Sequence, residues 1–435
     1  MKMSKKPITA IIVGAGHRGI LYASYALHYP DQLKIVGVAD LNPHKRAKAA
    51  EMFGFGEDMC FETAEELAAR PKLADAIING TMDHQHVQTS IPLLERGYDM
   101  LLEKPLAVNE EEMWQLVEAA RKHNSKVMIC HVLRYSPFYA DIRRRILDGE
   151  IGDIISIQCN EYVSYHHMIM AYVRGKWSNT KISHSSMLLA KSCHDMDLMM
   201  WLNSETKPVR LASYGNNFQF TPEKSPENAG TRCLLDCPIE PDCPYSAKKH
   251  YLDKELWGVY VWDNLEHLGE LTPEKKIESL KTDNPYGRCV WKCDNDVVDH
   301  QSVVIEFENG ATGTLNMIGG AAKANRTVHI VGTRGEIEGD MLANRVIVRK
   351  FNLRPGEDYY SEDVFYPSDE SDVGGKFLGH GGGDGRLVED FIKYLTGEET
   401  SISCTSLEDS IYGHLAVYKA DESREKGQAV ELTLR

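Results

Sequence analysis

The segment Ile8-Thr9-Ala10-Ile11-Ile12-Val13-Gly14-Ala15-Gly16-His17-Arg18-Gly19 joins a short apolar run to three closely spaced glycines. Its first half is rich in isoleucine, as a strand buried on both faces of a parallel sheet requires. Its second half has the spacing Gly-x-Gly-x-x-Gly and leads into a helical pattern over 18–28. Gly14 permits a tight turn, and Gly16 lets the backbone approach a pyrophosphate seated on the helix N-terminus. Gly19 allows the helix to pack closely on the strand. Working outward, apolar runs recur at Lys34–Ala39, Ala74–Asn79, Asp99–Leu102 and Lys126–Cys130, with helical patterns at 44–53, 84–96 and 109–122 between them. That alternation predicts a parallel sheet with helices on both faces, an N-terminal Rossmann dinucleotide-binding domain over 1–130. Asp40 ends the second strand, and an acid ~20 residues beyond the glycines can accept from the adenosine ribose hydroxyls. It would also repel a 2′-phosphate, so the reading is NAD in preference to NADP, although Lys45 and Arg46 stand close enough to weaken that preference.

The chain has 435 residues, enough for more than one domain, with 42% hydrophobic and 26% charged side chains. Its 49 Lys+Arg against 64 Asp+Glu give a formal net charge of −15, and no long basic run is present. Nucleic acid is therefore not an expected partner. No stretch approaches the ~18 apolar residues of a membrane-spanning helix. The basic start at Met1–Lys6 runs into a strand and a glycine turn, with no cleavage site of a signal peptide. The ten cysteines are not framework-spaced throughout, so a reduced, cytoplasmic protein is expected.

The fifth strand ends in Leu102-Glu103-Lys104-Pro105. Ligands of open α/β sheets bind beyond the carboxyl ends of the strands, so Lys104 points where a coenzyme's reactive end would lie. A partly desolvated lysine has a lowered pKa and can exchange a substrate proton. Further on, Ser186–Leu202 reads as a buried helix carrying Lys191, His194 and Asp197, the last two on one helical face. A histidine titrating near neutrality suits proton removal from an alcohol.

These elements together, namely the glycine turn, Asp40, Glu103-Lys104-Pro105, Arg134-Tyr135-Ser136-Pro137 and Cys193-His194-Asp195-Met196-Asp197, resemble the Gfo/Idh/MocA oxidoreductases. That family includes glucose–fructose oxidoreductase, inositol dehydrogenases and many sugar dehydrogenases. The resemblance spans most of the chain. It implies a Rossmann domain followed by a C-terminal α/β domain whose open sheet often forms oligomer contacts, with the lysine and the histidine as catalytic pair. Lys104 and His194 occupy those positions here. Gly14, Gly16, His17, Arg18, Gly19, Asp40, Glu103 and Lys104 are the expected coenzyme contacts. One departure stands out. Many members of the family carry Asp four residues before the histidine, and here that position is Ala190, followed by Lys191.

Over 131–435 the pattern changes to successive strands at Ile154–Ser164, Val209–Tyr214, Ser302–Phe307, Gly310–Ile318, Thr327–Val331 and Arg345–Lys350. With few helices between them they predict a large, mostly antiparallel open sheet, so the fold class is α/β followed by α+β. An insertion at about 216–300 holds Cys233, Cys237, Cys243, Cys289 and Cys293. Soft thiolates at short spacing can hold structural zinc, but Cys-x3-Cys is not the usual zinc spacing, so buried, unligated thiols are the preferred reading, and an iron–sulfur cluster has no matching ligand pattern here. Tyr165, His166, Arg174, Trp177, His300 and His380 join Lys191 and Asp197 as candidate substrate contacts, since aromatic faces and donors suit a sugar. Residues 357–385, acidic and glycine-rich, read as a loop or lid, and the chain closes with a helix and a strand.

The resulting expectation is an NAD(H)-dependent oxidoreductase acting on a secondary hydroxyl of a sugar, glycoside or polyol, assembled as a homo-oligomer (dimer or tetramer). Two rivals remain: a glycoside hydrolase that oxidises C3 transiently and eliminates the aglycone, and a non-catalytic NAD-binding sensor.

Overall fold

The computed structural model describes residues 6–368 and 379–434, apart from the side chains at 264, 266, 267, 379 and 380. Two sheets organise it. The first has six parallel strands in the order β3-β2-β1-β4-β5-β6, formed by Ile8–Val13 (β1), Leu33–Ala39 (β2), Cys60–Phe61 (β3), Ala76–Asn79 (β4), Asp99–Leu102 (β5) and Val127–Ile129 (β6). All connections cross over through helices, as parallel pairing demands. β1 pairs with β2 on one side and β4 on the other, and the reversal of strand order there opens a crevice at the carboxyl ends. Side chains of both faces are dry. Ile11, Ile77 and Leu102 join one apolar layer, and Ile12, Ile78 and Leu101 join the other.

The second sheet has nine strands in the order β14-β13-β12-β11-β7-β10-β9-β8-β15. They are Ile154–Ser164 (β7), Pro208–Asn216 (β8), His300–Phe307 (β9), Thr312–Ala321 (β10), Asn325–Gly332 (β11), Gly335–Asp340 (β12), Arg345–Phe351 (β13), Tyr360–Phe365 (β14) and Val430–Glu431 (β15). Every pairing is antiparallel except β7 with β10. Along β9 and β10 buried and open residues alternate, so one face packs on the helices and the other stays open.

Three strands were not expected. β3 is only two residues long. β12, Gly-Glu-Ile-Glu-Gly-Asp, alternates acid and apolar residues but carries too many turn formers to read as a strand. β14 falls within 357–385, which was expected to be loop throughout; 369–378 of that segment lie outside the described residues. The chain's last third also returns to the first sheet. Leu387, Val388 and Phe391, on the helix Gly383–Thr396, enter one of its apolar layers. Leu407 and Ile411, on the helix Leu407–Lys426, enter the other. No helix among the described residues is long and apolar enough to cross a membrane.

Candidate active site

The glycine turn is locked by mutual contact. Gly14 has φ +81°, and a Cβ there would meet the Thr81 amide nitrogen at 2.7 Å. A Cβ on Gly19 would lie 2.3 Å from the Gly14 carbonyl oxygen, which is how closely the helix His17–Ala23 approaches the strand. Gly16 differs: a Cβ there would meet nothing within 4 Å. It faces open space at a helix N-terminus, and that is the room a pyrophosphate needs. Asp40 organises the turn, accepting from the Ala15 amide at 2.7 Å and the Asn42 amide at 2.8 Å. The two cations that could weaken a preference for NAD are engaged elsewhere. Lys45 pairs with Asp263 at 2.9 Å, and Arg46 donates to the Asp40 carbonyl at 2.6 Å.

Beyond the strand ends a cavity of about 260 Å³ opens. Its first wall comes from the six-stranded sheet: Gly16, His17, Arg18, Gly80, Asp83, Glu103 and Lys104. Its second comes from the other lobe: His167, Tyr172, Trp177, Lys191, His194 and Arg326. Lys104 and His194, far apart in sequence, thus border one space with the coenzyme turn. The Lys104 ammonium donates to the Ala190 carbonyl at 2.8 Å, so the residue that replaces the expected aspartate still orients the lysine, through its backbone. Burial, the largest influence, pushes Lys104 down, but Cys193, Glu103 and Asp83 outweigh it and the net direction is up. This corrects the expectation of a lowered lysine. The lowered amine is Lys191, where burial exceeds the attraction of Glu161 at 3.1 Å.

Arg18 and Glu103 border the cavity but are bound to each other at 2.7 Å, and Arg18 also pairs with Asp384 at 2.8 Å. Tyr22 bonds both partners. Their side chains brace the turn from behind, and Asp384, from the Gly-rich segment, completes that brace. His17 stands edge-on to Tyr260 of the insertion, ring centroids 5.9 Å apart.

Several expected substrate contacts lie elsewhere. Asp197 turns away from His194 because both its oxygens hold the buried Arg134, at 2.5 and 2.7 Å. Arg174 is buried and donates to the carbonyls of Arg288 and Tyr245. Tyr165 and His166 pack in an aromatic group with His250 and Trp257, and the next residue, His167, reaches the cavity instead. β7 ends at Ser164, and the short helical turn after it rotates 165 and 166 outward. His300 is half exposed and bonded to Asp299. The side chain of His380 lies outside the described residues. Of that set Trp177 and Lys191 remain on the wall, Trp177 donating to Asp83 at 3.0 Å. All ten cysteines are free, and no three His, Cys, Asp or Glu side chains among the described residues converge to hold an ion. The zinc reading of their spacing therefore has no single-ion site behind it.

Two sequence profiles match the chain. The first, an oxidoreductase family's NAD-binding Rossmann fold, covers 8–131, and the second, that family's C-terminal alpha/beta domain, covers 143–432. The chain belongs to the Gfo/Idh/MocA oxidoreductase family. Among its relatives is a putative oxidoreductase, YteT, of Bacillus subtilis, 25% identical over 85% of this chain and 83% of the relative. Among solved structures, a levoglucosan dehydrogenase in complex with NADH and levoglucosan superposes with a TM-score of 0.70 at 18% identity, covering 99% of this chain and 100% of that one. The WlbA dehydrogenase of Bordetella pertussis, in complex with NADH and UDP-GlcNAcA, gives 0.67 at 15% identity with 100% coverage of both.

In this member of the Gfo/Idh/MocA family, three residues that border the cavity were missed by sequence reasoning. Thr81 and Asp83 follow the end of β4, and the strand-end rule that found Lys104 after β5 finds them when it is applied to β4. Arg326 had no local signal. It arrives on β11 and spans Glu161 of β7 and Asp195 of the histidine helix Cys193–Leu202, each at 2.7 Å. Lys191, Glu161, Arg326 and Asp195 thereby form a compensated charge network on the floor of the second wall.

Proposed function

We propose that this chain is an NAD-dependent dehydrogenase acting on a secondary alcohol of a sugar, glycoside or polyol. The reading rests on one observation: Lys104 and His194, from opposite lobes, border the same cavity as the open Gly16 turn. NAD held there would supply the hydride acceptor. The glycine turn and the helix N-terminus would hold its phosphates. Asp40 accepts from its ribose, and the engagement of Lys45 with Asp263 removes a free cation that a 2′-phosphate would use. Lys104 stays protonated at neutral pH and donates a hydrogen bond to the substrate oxygen. His194 is placed to take the hydroxyl proton; bound NAD would accept the hydride from the same carbinol carbon, so that a carbonyl and reduced coenzyme would result. Trp177 and Tyr172 offer apolar faces to a sugar ring, and Lys191 with Arg326 offers donors to its hydroxyls.

The test is turnover of a sugar and polyol panel with NAD, followed as reduced coenzyme. The wild type is expected to produce it. Lys104→Ala and His194→Ala should each lose ~10²–10⁴-fold in kcat while retaining coenzyme affinity. Cleavage of glycosides with no net reduced coenzyme would favour the transient-oxidation hydrolase. Coenzyme binding with no turnover of either kind would favour the sensor. We also propose that the open face of the nine-stranded sheet, where Tyr214, Val304 and Ile318 stand exposed, pairs with a second copy. Light scattering that gives a monomer mass would end that proposal.

A further inference from the structure

Two cations of the second wall, Lys191 and Arg326, border the coenzyme cavity, while their carboxylate partners do not. Glu161 and Asp195 are each 2% exposed and lie behind them. Glu161 spans the pair. One of its oxygens stands 3.1 Å from Lys191 Nζ and the other 2.7 Å from Arg326 Nε. The two cations are therefore held one carboxylate's width apart, and both also face the open space.

Donors remain unfilled on that wall. Lys191 makes a single ion pair, with Glu161, although an ammonium carries three N–H groups. Arg326 spends Nε and Nη2 on Glu161 and Asp195, and its Nη1 has no partner among the described residues. The third cation of the wall, Lys176, is engaged by Asp263 at 3.1 Å.

We propose that Lys191 and Arg326 seat a carboxylate of the substrate, which is a uronic acid. Its two oxygens would bridge the cations from the cavity side, as Glu161 bridges them from behind. The inference rests on the dehydrogenase reading and narrows it to an acidic sugar. What separates a carboxylate from a hydroxyl at this place is the proton. A hydroxyl set between two cations must still donate its own hydrogen, and no carboxylate of this wall borders the cavity to receive it. A carboxylate has no proton to place and offers one oxygen to each cation. Its bonds to lysine and arginine are charge-assisted, roughly twice as strong as neutral ones.

The charge also closes. Lys191, Arg326, Glu161 and Asp195 cancel among themselves, so an added anion needs one more cation nearby. Lys104 is that cation. Its ammonium is bonded to the Ala190 carbonyl and to no carboxylate, and its net pKa direction is up. The acids of the first wall are already engaged: Glu103 by Arg18 at 2.7 Å, and Asp83 by Trp177 and Ser185.

The experiment is calorimetry on the full chain with NAD present, comparing glucuronate with glucose and galacturonate with galactose. Turnover is followed on the same sugars. At least one uronate should bind ~10-fold or more tightly than its neutral counterpart. The matching uronamide keeps the shape and loses the charge, and it should fall to the neutral level. Lys191→Met should erase the preference while NAD affinity stays unchanged. Should that variant fail to fold, the uronamide comparison on the wild-type chain still decides. Neutral sugars bound as tightly as uronates, no uronate bound, or a uronamide equal to its acid each overturn the proposal. The two readings fail separately. A uronate bound but never oxidised removes the dehydrogenase and keeps the carboxylate seat. Neutral sugars bound and oxidised as readily as uronates keep the dehydrogenase and remove the seat.

Discussion

The wall of the coenzyme cavity built by the six-stranded sheet takes its shape from backbone: Gly14, Gly16, Gly19 and Gly80 set the turn by what they lack. The facing wall is mainly side chain: Glu161, Lys191, His194 and Arg326 reach it from β7, the histidine helix and β11. The first wall needs only a strand, a turn and a helix that follow one another in sequence. The second exists only after distant strands have paired, and its charges must neutralise one another because they are out of water. One wall is thus fixed by local conformation, and the other by long-range electrostatic compensation.

The sharpest way to break this contrast is at Arg134 and Asp197, which support the second wall from beneath the histidine helix. Asp197→Ala strands a buried guanidinium, and denaturant unfolding should show a loss of about 3–5 kcal/mol. An unchanged midpoint would mean that the side-chain wall does not depend on charge compensation. A smaller effect separates two glycines of the first wall. Gly19→Ala drives a Cβ into the Gly14 carbonyl and should cost about 2 kcal/mol or more of stability. Gly16→Ala meets open space, so unfolding should shift by less than about 0.5 kcal/mol while NAD affinity, read by calorimetry, falls ~10-fold or more. Equal behaviour of the two would show that Gly16 faces packing and not coenzyme.

The third test concerns the seam between the walls. His414 accepts from the Leu106 amide at 3.1 Å, just past Lys104, and its ring is buried. Burial, then His131, push it down from 6.5 to about 3. A depressed histidine is neutral when folded and charged when unfolded. Its contribution is therefore present above pH 6.5 and lost as pH falls from 6.5 toward 3. At pH 5.5 the loss is about 1.4 kcal/mol, and His414→Gln should remove that share of the acid sensitivity in denaturation midpoints. An identical slope in the variant would deny the histidine its role.

How much could be read beforehand follows the same division. β1, β2, β4, β5 and β6 announced themselves as apolar runs, and the glycine turn carried its own reason for every residue. Lys104 followed from the strand-end rule. His194 stood out through the family resemblance and the polar cluster it shares with Lys191 and Asp197 on an apolar helix, with Asp197 expected to contact the substrate or orient the imidazole. Arg134, from a different element, holds Asp197 away from that role. Tyr165 and His166 were chosen over His167 for a similar reason, because the rotation of the turn after β7 is not written in residue types. The lysine with the lowered pKa proved to be Lys191 and not Lys104, since burial was foreseeable for both but the surrounding carboxylates were not.

The sequence by itself determined the two-sheet architecture, the dinucleotide turn and the family, because each depends on periodicity or on glycine geometry within a few residues. Only the tertiary structure decided which charges face the cavity and which merely brace it. Those outcomes depend on partners from 30 to 366 residues apart, brought together only by the fold.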